Sequence, residues 1–502
     1  MILVERTPFS FRVKIDYKGC LYGTDIFIRK YQNSFTRWGF DPKLNRGVPK
    51  EKYFFIDKKR NVVYFPRYDL NRFVQLIESE GESIRFKDLP LCEGADIDIS
   101  LKSGIQDQST LQTDALEYLT GPFEPLKGIS LQTGKGKSYV AIKYCVLRKK
   151  RVMIGCKGLV DQWVDEIFAF TDAKKEDVYI IQGQDSLIKL LDGIDKTIFP
   201  KFIVYSIPTL RPYAFDADNY EGSPLFDDLP QLLNVGLRIT DEAHLNFHCN
   251  YVMDLRLCVN QLIPLTATFD VSDSTVKRIF DGHYPPCVRF GEDILDKYID
   301  VYAYGCRSGH GDIPRYAYQT PRGYSHVMYE KWLLTRAKWK LEWLWSSVYR
   351  LIINEQYISK FPKPGQKLLI LCETKNMCNW ISERFKREYP QYKDSTGQFL
   401  HGDDKDLLKT LSVIVSTPKS CGTGKDIKRL MSTLNTISIR SEPLNIQILG
   451  RIRKPKHPGD SKQVQMSYVF NKSIMPQVDH HHLRERIYKP RAKSFTTYNL
   501  HN

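Results

Sequence analysis

A chain of 502 residues, 42% hydrophobic and 26% charged, has the balance of a soluble globular protein and the length for about three domains. It has no run near the roughly 18 apolar residues of a membrane span; charges at Glu5, Arg6, Arg12 and Lys14 leave no signal-peptide core, and eleven scattered cysteines without a CxxC pair argue for free thiols in a reducing cytoplasm rather than structural zinc or disulfides. The net charge of +16 sits at the two ends, with 16 Lys/Arg against 7 Asp/Glu in residues 1–75 and 11 against 3 in residues 451–502, a footprint that fits a polyanion such as nucleic acid.

Residues 1–90 read as a small mixed module. FRVKIDY, KYFFID and NVVYFP cluster or alternate β-branched and aromatic residues as strands do, and DKKRN at Asp57–Asn61 predicts a hairpin turn. YDLNRFVQLIESE has helical apolar spacing at Leu70, Phe73, Leu76 and Ile77, with Asp69 as a candidate cap. LCEGADIDISLKSGIQDQS reads as a linker. From about Gln106 to Phe290, the apolar runs GISLQ, RVMIGC, KFIVYS, GLRITDE and QLIPLTAT alternate with helical segments, the pattern of a parallel α/β sheet. KLLILCE, SVIVSTP, TISIR and QMSYVF predict a second such sheet. Between them YEKWLLTRAKWKLEWLWSSVYRLIINEQ predicts a long helix whose Trp332, Trp339, Trp343 and Trp345 are read as packing against that second sheet, with base stacking as the alternative. His480–His482 resemble a metal tract but read as incidental.

The stretch LQTGKGKS carries the sharpest chemistry. A strand, GISLQ, leads into Thr133, Gly134, Lys135, Gly136, Lys137 and Ser138, then into the amphipathic YVAIKYCVL. Glycines let successive N–H groups converge on phosphate oxygens at a helix N-terminus. Lys137 is expected to reach the β- and γ-phosphates of ATP, and Ser138 to ligate Mg²⁺. The pattern GxxxxGK[ST] is met except that Leu131 replaces the first glycine. About a hundred residues on, RITDEAH places Asp241 to hold Mg²⁺ and Glu242 to orient and deprotonate the attacking water.

TGKGKS, DEAH and LTAT (Leu265–Thr268), in this order, resemble motifs I, II and III of superfamily 2 helicases. CKGLVDQWVDEI is similar to motif Ia, LLILCETKNMCNWI to motif IV, STPKSCGTGKDI to motif V and QILGRIR to motif VI, and Gln112 stands where these enzymes place an adenine-reading glutamine. The resemblance spans roughly residues 106–475. It implies an α/β fold of two tandem RecA-like parallel-sheet lobes preceded by a small α+β N-terminal domain, with boundaries expected at 1–98, 99–300, 301–480 and a basic tail 481–502. ATP would lie between the lobes. The first would supply Lys137, Ser138, Asp241 and Glu242, and the second the arginine Arg451, with Arg453 as a second cation, since Lys454 holds the place where the family's second arginine commonly stands. An arginine of this kind is worth roughly 10³–10⁵ in rate in related NTPases. His244, Thr266 and Thr268 would couple the γ-phosphate to lobe movement. Gly424 and Asp426 would face the nucleotide; Lys157, Gly158, Thr209, Thr417 and Thr423 would face nucleic acid.

The layout, with a basic β-rich module ahead of the motor, is similar to the XPB-like and phage UvsW-like branch, which implies remodelling of branched DNA: junction migration, fork regression and dissociation of R-loops or D-loops. Arg12, Lys14 and Arg37, interleaved with Tyr17, Tyr31, Phe35 and Trp38, suit a junction or single-strand contact in the N-terminal module. An RNA helicase would share every motif named here. A duplex-DNA translocase of a restriction or defence system is the third reading. The expected protein is a cytoplasmic monomer with ATP, Mg²⁺ and nucleic acid as its partners and no membrane.

Overall fold

A computed structural model of the chain describes residues 2–14, 31–41, 46–132, 134–158, 160–193, 200–215, 224–269, 271, 273–291, 297–307, 312–321, 323–361, 363–400, 402–404, 406–421, 427–455, 457 and 460–500. It divides into two compact units, residues 1–293 and 294–502.

Seven strands open the first unit: β1 (Ile2–Arg6), β2 (Ser10–Lys14), β3 (Thr36–Asp41), β4 (Arg46–Lys52), β5 (Phe55–Asp57), β6 (Val62–Pro66) and β7 (Ile84–Asp88). Five form a mixed sheet in the order β5-β6-β2-β1-β7, whereas β3 and β4 pair only with each other. The hairpin expected at Asp57–Asn61 is present, and the Asp57 carboxylate closes it by accepting the Arg60 N–H at 3.0 Å. All five residues of β6 are buried because both faces of the strand are covered. Phe65 meets Phe73 of the helix Leu70–Ser79 on one side, while the Tyr64 hydroxyl donates to Asp227 on the other. Asp69 stands at the N-terminus of that helix without capping it; its carboxylate accepts the Tyr31 hydroxyl at 2.5 Å instead.

The parallel sheet of this unit has β8 (Gly128–Ser130), β9 (Val152–Cys156), β10 (Val178–Ile181), β11 (Phe202–Ser206), β12 (Leu237–Thr240), β13 (Gln261–Thr266) and β14 (Arg289–Phe290) in the order β10-β11-β9-β12-β13-β8-β14. Every pairing in it is parallel. Helices Lys137–Arg148 and Val160–Phe170 cover one face. The N-terminal module shares the core of the other: Phe11, Val63 and Phe73 belong to one apolar cluster with Tyr205, Leu210, Met253 and Leu255. Polar contacts fix this junction. Ser10 Oγ donates to the Leu255 carbonyl at 2.7 Å, and buried Asp227 accepts from Arg256 Nε and Arg60 Nη2, each at 2.6 Å. The expected linker is no free tether either, since Cys92, Asp96 and Leu101 form bridges to Val259, Lys150 and Thr171 and Ile97 and Ile99 are buried.

The second unit holds β15 (Ile299–Cys306), the short hairpin β16 (Gln319–Thr320) and β17 (Gly323–Tyr324), then β18 (Lys367–Leu371), β19 (Thr396–Phe399), β20 (Val413–Ser416), β21 (Leu430–Asn435), β22 (Val464–Asn471) and β23 (Ser494–Asn499). Its seven-stranded sheet, β19-β20-β18-β21-β22-β15-β23, is again wholly parallel. The chain is thus an α/β fold of two tandem RecA-like parallel-sheet lobes preceded by a small mixed N-terminal module.

Three expectations are corrected. TISIR is not a strand: the strand is Leu430–Asn435, and the chain then turns where Asn435 Oδ1 accepts the Ile437 N–H at 2.9 Å. Residues 481–502 are not a tail. They complete the helix Met475–Tyr488 and supply the edge strand β23, with Arg484 fully buried over the Tyr468 ring. The Trp-rich segment is two helices, His326–Thr335 and Lys338–Leu344, the second continuing through widened π-type turns to Ile358. Trp345 is buried and meets Trp380 edge-on at 5.9 Å, and Trp332 is also buried, whereas Trp339 is exposed. Among the described residues no disulfide forms, and no helix is long and apolar enough to cross a membrane.

Candidate functional site

The candidate nucleotide-binding residues of the first unit gather at the carboxyl ends of its parallel strands, where open α/β sheets leave a crevice. After β8 the chain turns through Gly134 (φ +83°) and Gly136 (φ +84°), both left-handed, before Lys137 opens its helix. That curl aims the first helical N–H groups into the loop. Leu131 fits where the motif has glycine because its side chain is buried in the core beneath the sheet edge, and its N–H donates to the Thr266 carbonyl at 3.1 Å. Its carbonyl accepts Lys137 Nζ at 3.0 Å, so the lysine lies folded over its own loop. Ser138 follows, half-buried. Thr133 lies outside the described residues.

Gln112 is buried against this loop. Its Nε2 donates to the Lys135 carbonyl at 3.0 Å, and its Oε1 accepts the Gln108 N–H at 2.8 Å. A Cβ on Gly136 would lie 2.4 Å from that Nε2. Beside it Asp107 accepts from Tyr139 and Lys143, each at 2.8 Å, which ties the segment before Gln112 to the helix after the loop. Burial raises the Asp107 pKa, but the Lys143 and Tyr139 hydrogen bonds outweigh it and the net direction is down.

Asp241 emerges from the end of β12. Its Oδ2 accepts the Trp163 indole N–H at 3.0 Å and its Oδ1 the Glu242 N–H at 2.9 Å. Burial, and then repulsion from Glu242, push its carboxyl up to about 6 against the opposing pull of Lys137. Glu242 has φ +47°, a left-handed conformation uncommon for a residue with a side chain, at which strained geometry often marks function. Its Oε1 is 3.9 Å from Lys137 Nζ, and its buried Oε2, 3.5 Å from His244 Nδ1, makes no hydrogen bond among the described residues. His244 Nδ1 lies 2.6 Å from Thr266 Oγ1, which donates to the Thr268 carbonyl at 2.6 Å. A polar chain therefore joins the ends of β12 and β13.

Two carboxylates and one ammonium, with an orphaned buried acceptor, form a donor set that fits a divalent cation and a phosphate. Asp241 and Ser138 are the residues that would hold Mg²⁺.

Sequence reasoning did not single out Trp163, although the indole orients Asp241. It also missed buried Arg238 on β12, which ion-pairs with Asp254 and donates to the Tyr205 hydroxyl at 2.8 Å. Asp254 further accepts Tyr284 at 2.7 Å and lies 2.9 Å from His283 Nε2, so this network fixes the strand that delivers Asp241. An arginine inside the apolar run LRIT was the available signal.

Lys157 and Gly158 (φ +73°) are exposed at the end of β9. Thr209 lies just beyond the end of neighbouring β11, where its hydroxyl accepts the Gly183 N–H at 3.1 Å. The three expected nucleic-acid residues of this lobe thus share the sheet edge that carries the nucleotide residues.

In the N-terminal module, Arg12 turns inward, with Nε 2.9 Å from Glu5 and Nη1 3.6 Å from Asp227. Arg37 pairs with Asp273 at 2.9 Å and Glu51 at 3.3 Å. Both are occupied as structural staples, and Lys14 is exposed.

In the second unit Thr417 follows β20, its hydroxyl 2.9 Å from Ser420 Oγ. Arg451 is buried just past the helix Glu442–Leu449, Arg453 is half-buried and Lys454 exposed. Thr423, Gly424 and Asp426 lie outside the described residues. His481, His482 and Glu485 bring one ligand atom each within 4.8 Å of one another, but Lys489 Nζ holds Glu485 at 2.9 Å.

No family model matches this chain, and no curated protein matches it. Among solved structures it is similar to S. cerevisiae Dbp5 bound to RNA and ADP BeF3, at 15% identity and a TM-score of 0.47, covering 78% of this chain and 90% of that one. A point variant of Dbp5 with the same ligands gives 14% identity and 0.48 over the same shares. The crystal structure of T4 UvsW aligns over 100% of both chains, at 14% identity and a TM-score of 0.34.

Proposed function

We propose that the chain is an ATP-driven motor that remodels branched nucleic acid, with DNA as its substrate. The observation that carries this reading is the meeting of Lys137, Asp241, Glu242 and His244 in one cradle at the carboxyl edge of a parallel sheet. Lys137 Nζ would exchange the Leu131 carbonyl for β- and γ-phosphate oxygens, while the N–H groups opening its helix take the remaining phosphate charge. Mg²⁺, held by Asp241 and Ser138, supplies neutralisation of the charge between the phosphates when bound. Glu242 presents its unbonded Oε2 as the acceptor that orients the attacking water and receives its proton. The His244–Thr266–Thr268 chain links that carboxylate to the end of β13, a route by which loss of the γ-phosphate alters the sheet edge. Arg451 is the second lobe's cation for the transferring phosphoryl group, with Arg453 beside it in sequence. Gln112 reads the adenine.

The basic excess at both ends of the chain favours a nucleic acid, and the small N-terminal module ahead of the motor favours branched DNA within that class. The test is ATP hydrolysis at fixed low salt with no nucleic acid, single-stranded DNA, duplex DNA, a four-way junction or RNA, beside Lys137→Ala. Strong stimulation by the junction, lost in the variant, is the expected result. Stimulation by RNA alone overturns the DNA reading and selects an RNA helicase. Duplex-stimulated hydrolysis without strand separation selects a translocase.

A further inference from the structure

The strands β3 and β4 make a two-stranded ribbon that joins no other sheet among the described residues. Its root is anchored: Phe35 and Tyr53 are buried, and the Tyr53 N–H donates to the Phe35 carbonyl at 2.7 Å. Beyond the root it is open. Arg46, Gly47, Pro49, Lys50 and Lys52 of β4 are all exposed.

Trp38 stands on this ribbon with 53% of its surface exposed. Tyr31 and Phe35, also flagged by the sequence, are buried in the core, and Tyr17 lies outside the described residues. It lies opposite Pro49, and its ring edge is 4.0 Å from where a Cβ on Gly47 would stand, so glycine and proline give it a flat, uncrowded floor. The ladder slips by one residue between Arg37 and Trp38; Lys50 is the unmatched residue, and its stem lies across Gly39.

The surrounding charge is basic. Arg46 and Lys50 make no ion pair among the described residues, and Lys52 lies over the Phe54 ring at 5.9 Å. Of the ribbon's anions, Glu51 is taken by Arg37 at 3.3 Å and the Tyr53 hydroxyl at 3.0 Å, and Asp41 stands opposite Arg46 in the ladder. The indole shares its face with Gly47 and Pro49 and, by alternation, with Lys52, whereas Lys50 and Arg46 stand on the other face of the ribbon; base–aromatic stacking tolerates any sequence while cations track the backbone. A second copy of the same ribbon would set like charges against each other.

We propose that this ribbon is a single-strand contact, in which Trp38 stacks on a nucleobase, Lys52 meets a phosphate on the same face, and the backbone passes over the ribbon's edge to Arg46 and Lys50 on the other. The proposal rests on the nucleic-acid reading above and adds where an unpaired strand is gripped.

The experiment uses the full chain and fluorescein-labelled oligo-dT and oligo-U, intact or with a single abasic position, followed by anisotropy. Trp38→Ala should weaken binding of the intact strands about tenfold for both sugars, and Trp38→Phe should retain most of the affinity. The abasic position should cost wild type affinity but cost Trp38→Ala much less, a coupling that a merely misfolded ribbon would not produce. Sedimentation of both proteins accompanies the titration. Undiminished binding by Trp38→Ala, or an equal abasic cost in both proteins, overturns the ribbon contact while leaving the motor reading intact. A change of oligomeric state in Trp38→Ala without loss of binding overturns it in favour of self-association. A wild-type chain that binds neither strand, with no stimulation of hydrolysis by any nucleic acid, overturns both readings.

Discussion

The Gln112 side-chain amide donates to the carbonyl of Lys135 at 3.0 Å, which ties the helix Thr110–Thr120 to the glycine-containing loop ahead of Lys137. Gly136 is where this arrangement is least tolerant. Alanine there must adopt φ +84°, a left-handed conformation costing an L-residue roughly 1–2 kcal/mol, and its Cβ meets Gln112 Nε2. We expect Gly136→Ala to weaken binding of a fluorescent ATP analogue by about tenfold or more. Wild-type affinity in the variant would show that this loop does not hold nucleotide.

Trp163 gives Asp241 a charge-assisted hydrogen bond in a buried setting, an interaction worth about 1.5–3 kcal/mol. Trp163→Phe keeps most of the packing volume and removes the donor. ATP turnover should fall about tenfold or more, with little change in the unfolding midpoint. Turnover equal to wild type would mean that Asp241 needs no such orientation.

Asp227 binds the N-terminal module to the first parallel sheet through Arg256, Arg60, Arg12 and Tyr64. Burial raises its pKa, but Arg256 and Arg60 overcome this and the net direction is down, so its stabilisation is present above the ordinary carboxylate pKa and is lost as pH falls through the depressed value. Asp227→Asn leaves buried cations without their counter-ion. A loss of about 3–5 kcal/mol is expected in urea unfolding of the first unit, with the module becoming protease-sensitive first. A variant within about 1 kcal/mol of wild type would contradict this account.

His480 and His481 lie in the last helix with pKa values held down to about 4. Burial is the main cause, with Arg484 and Arg440 adding for His480, and His482, Arg484 and Lys489 adding for His481 against Glu485. A depressed histidine contributes stability that is full above its ordinary pKa near 6.5 and is lost as pH falls through 4. The melting temperature of the second unit should therefore drop on the order of 5 °C between pH 7 and pH 4.5. His480→Gln with His481→Gln should flatten that dependence. A slope unchanged by the pair would place the titration elsewhere.

Most of the two parallel sheets could be read in advance, because buried strands such as RVMIGC, KFIVYS and SVIVSTP are continuous apolar runs bounded by helical segments. The cradle was legible for the same local reason: phosphate chemistry needs glycines, a lysine and a hydroxyl in fixed order along the chain. Contacts between distant segments were not. Nothing around Trp163 marks it as the partner of Asp241, 78 residues away, and Asp227 gives no sign that three arginines converge on it. Periodicity also missed the Trp38 ribbon, since Gly39, Gly47 and Pro49 break the alternation that identifies strands. The basic ends misled in part. Charge counting cannot tell Lys14, which is exposed, from Arg12, half-buried against Asp227, and Arg484, which is fully buried.

Because Phe11, Val63 and Phe73 share one apolar core with Tyr205 and Met253, the N-terminal module and the first parallel-sheet lobe form a single body. A strand caught at Trp38 and tugged would transmit its tension through β6 and Asp227 into the sheet that carries Lys137, with no slack tether to absorb it. On that proposal the ribbon would be the tip of a stiff tool whose handle is the first parallel-sheet lobe. Lengthening the chain between residues 88 and 128 would therefore do little to detach the tip, whereas softening the Asp227 junction would let it yield under load.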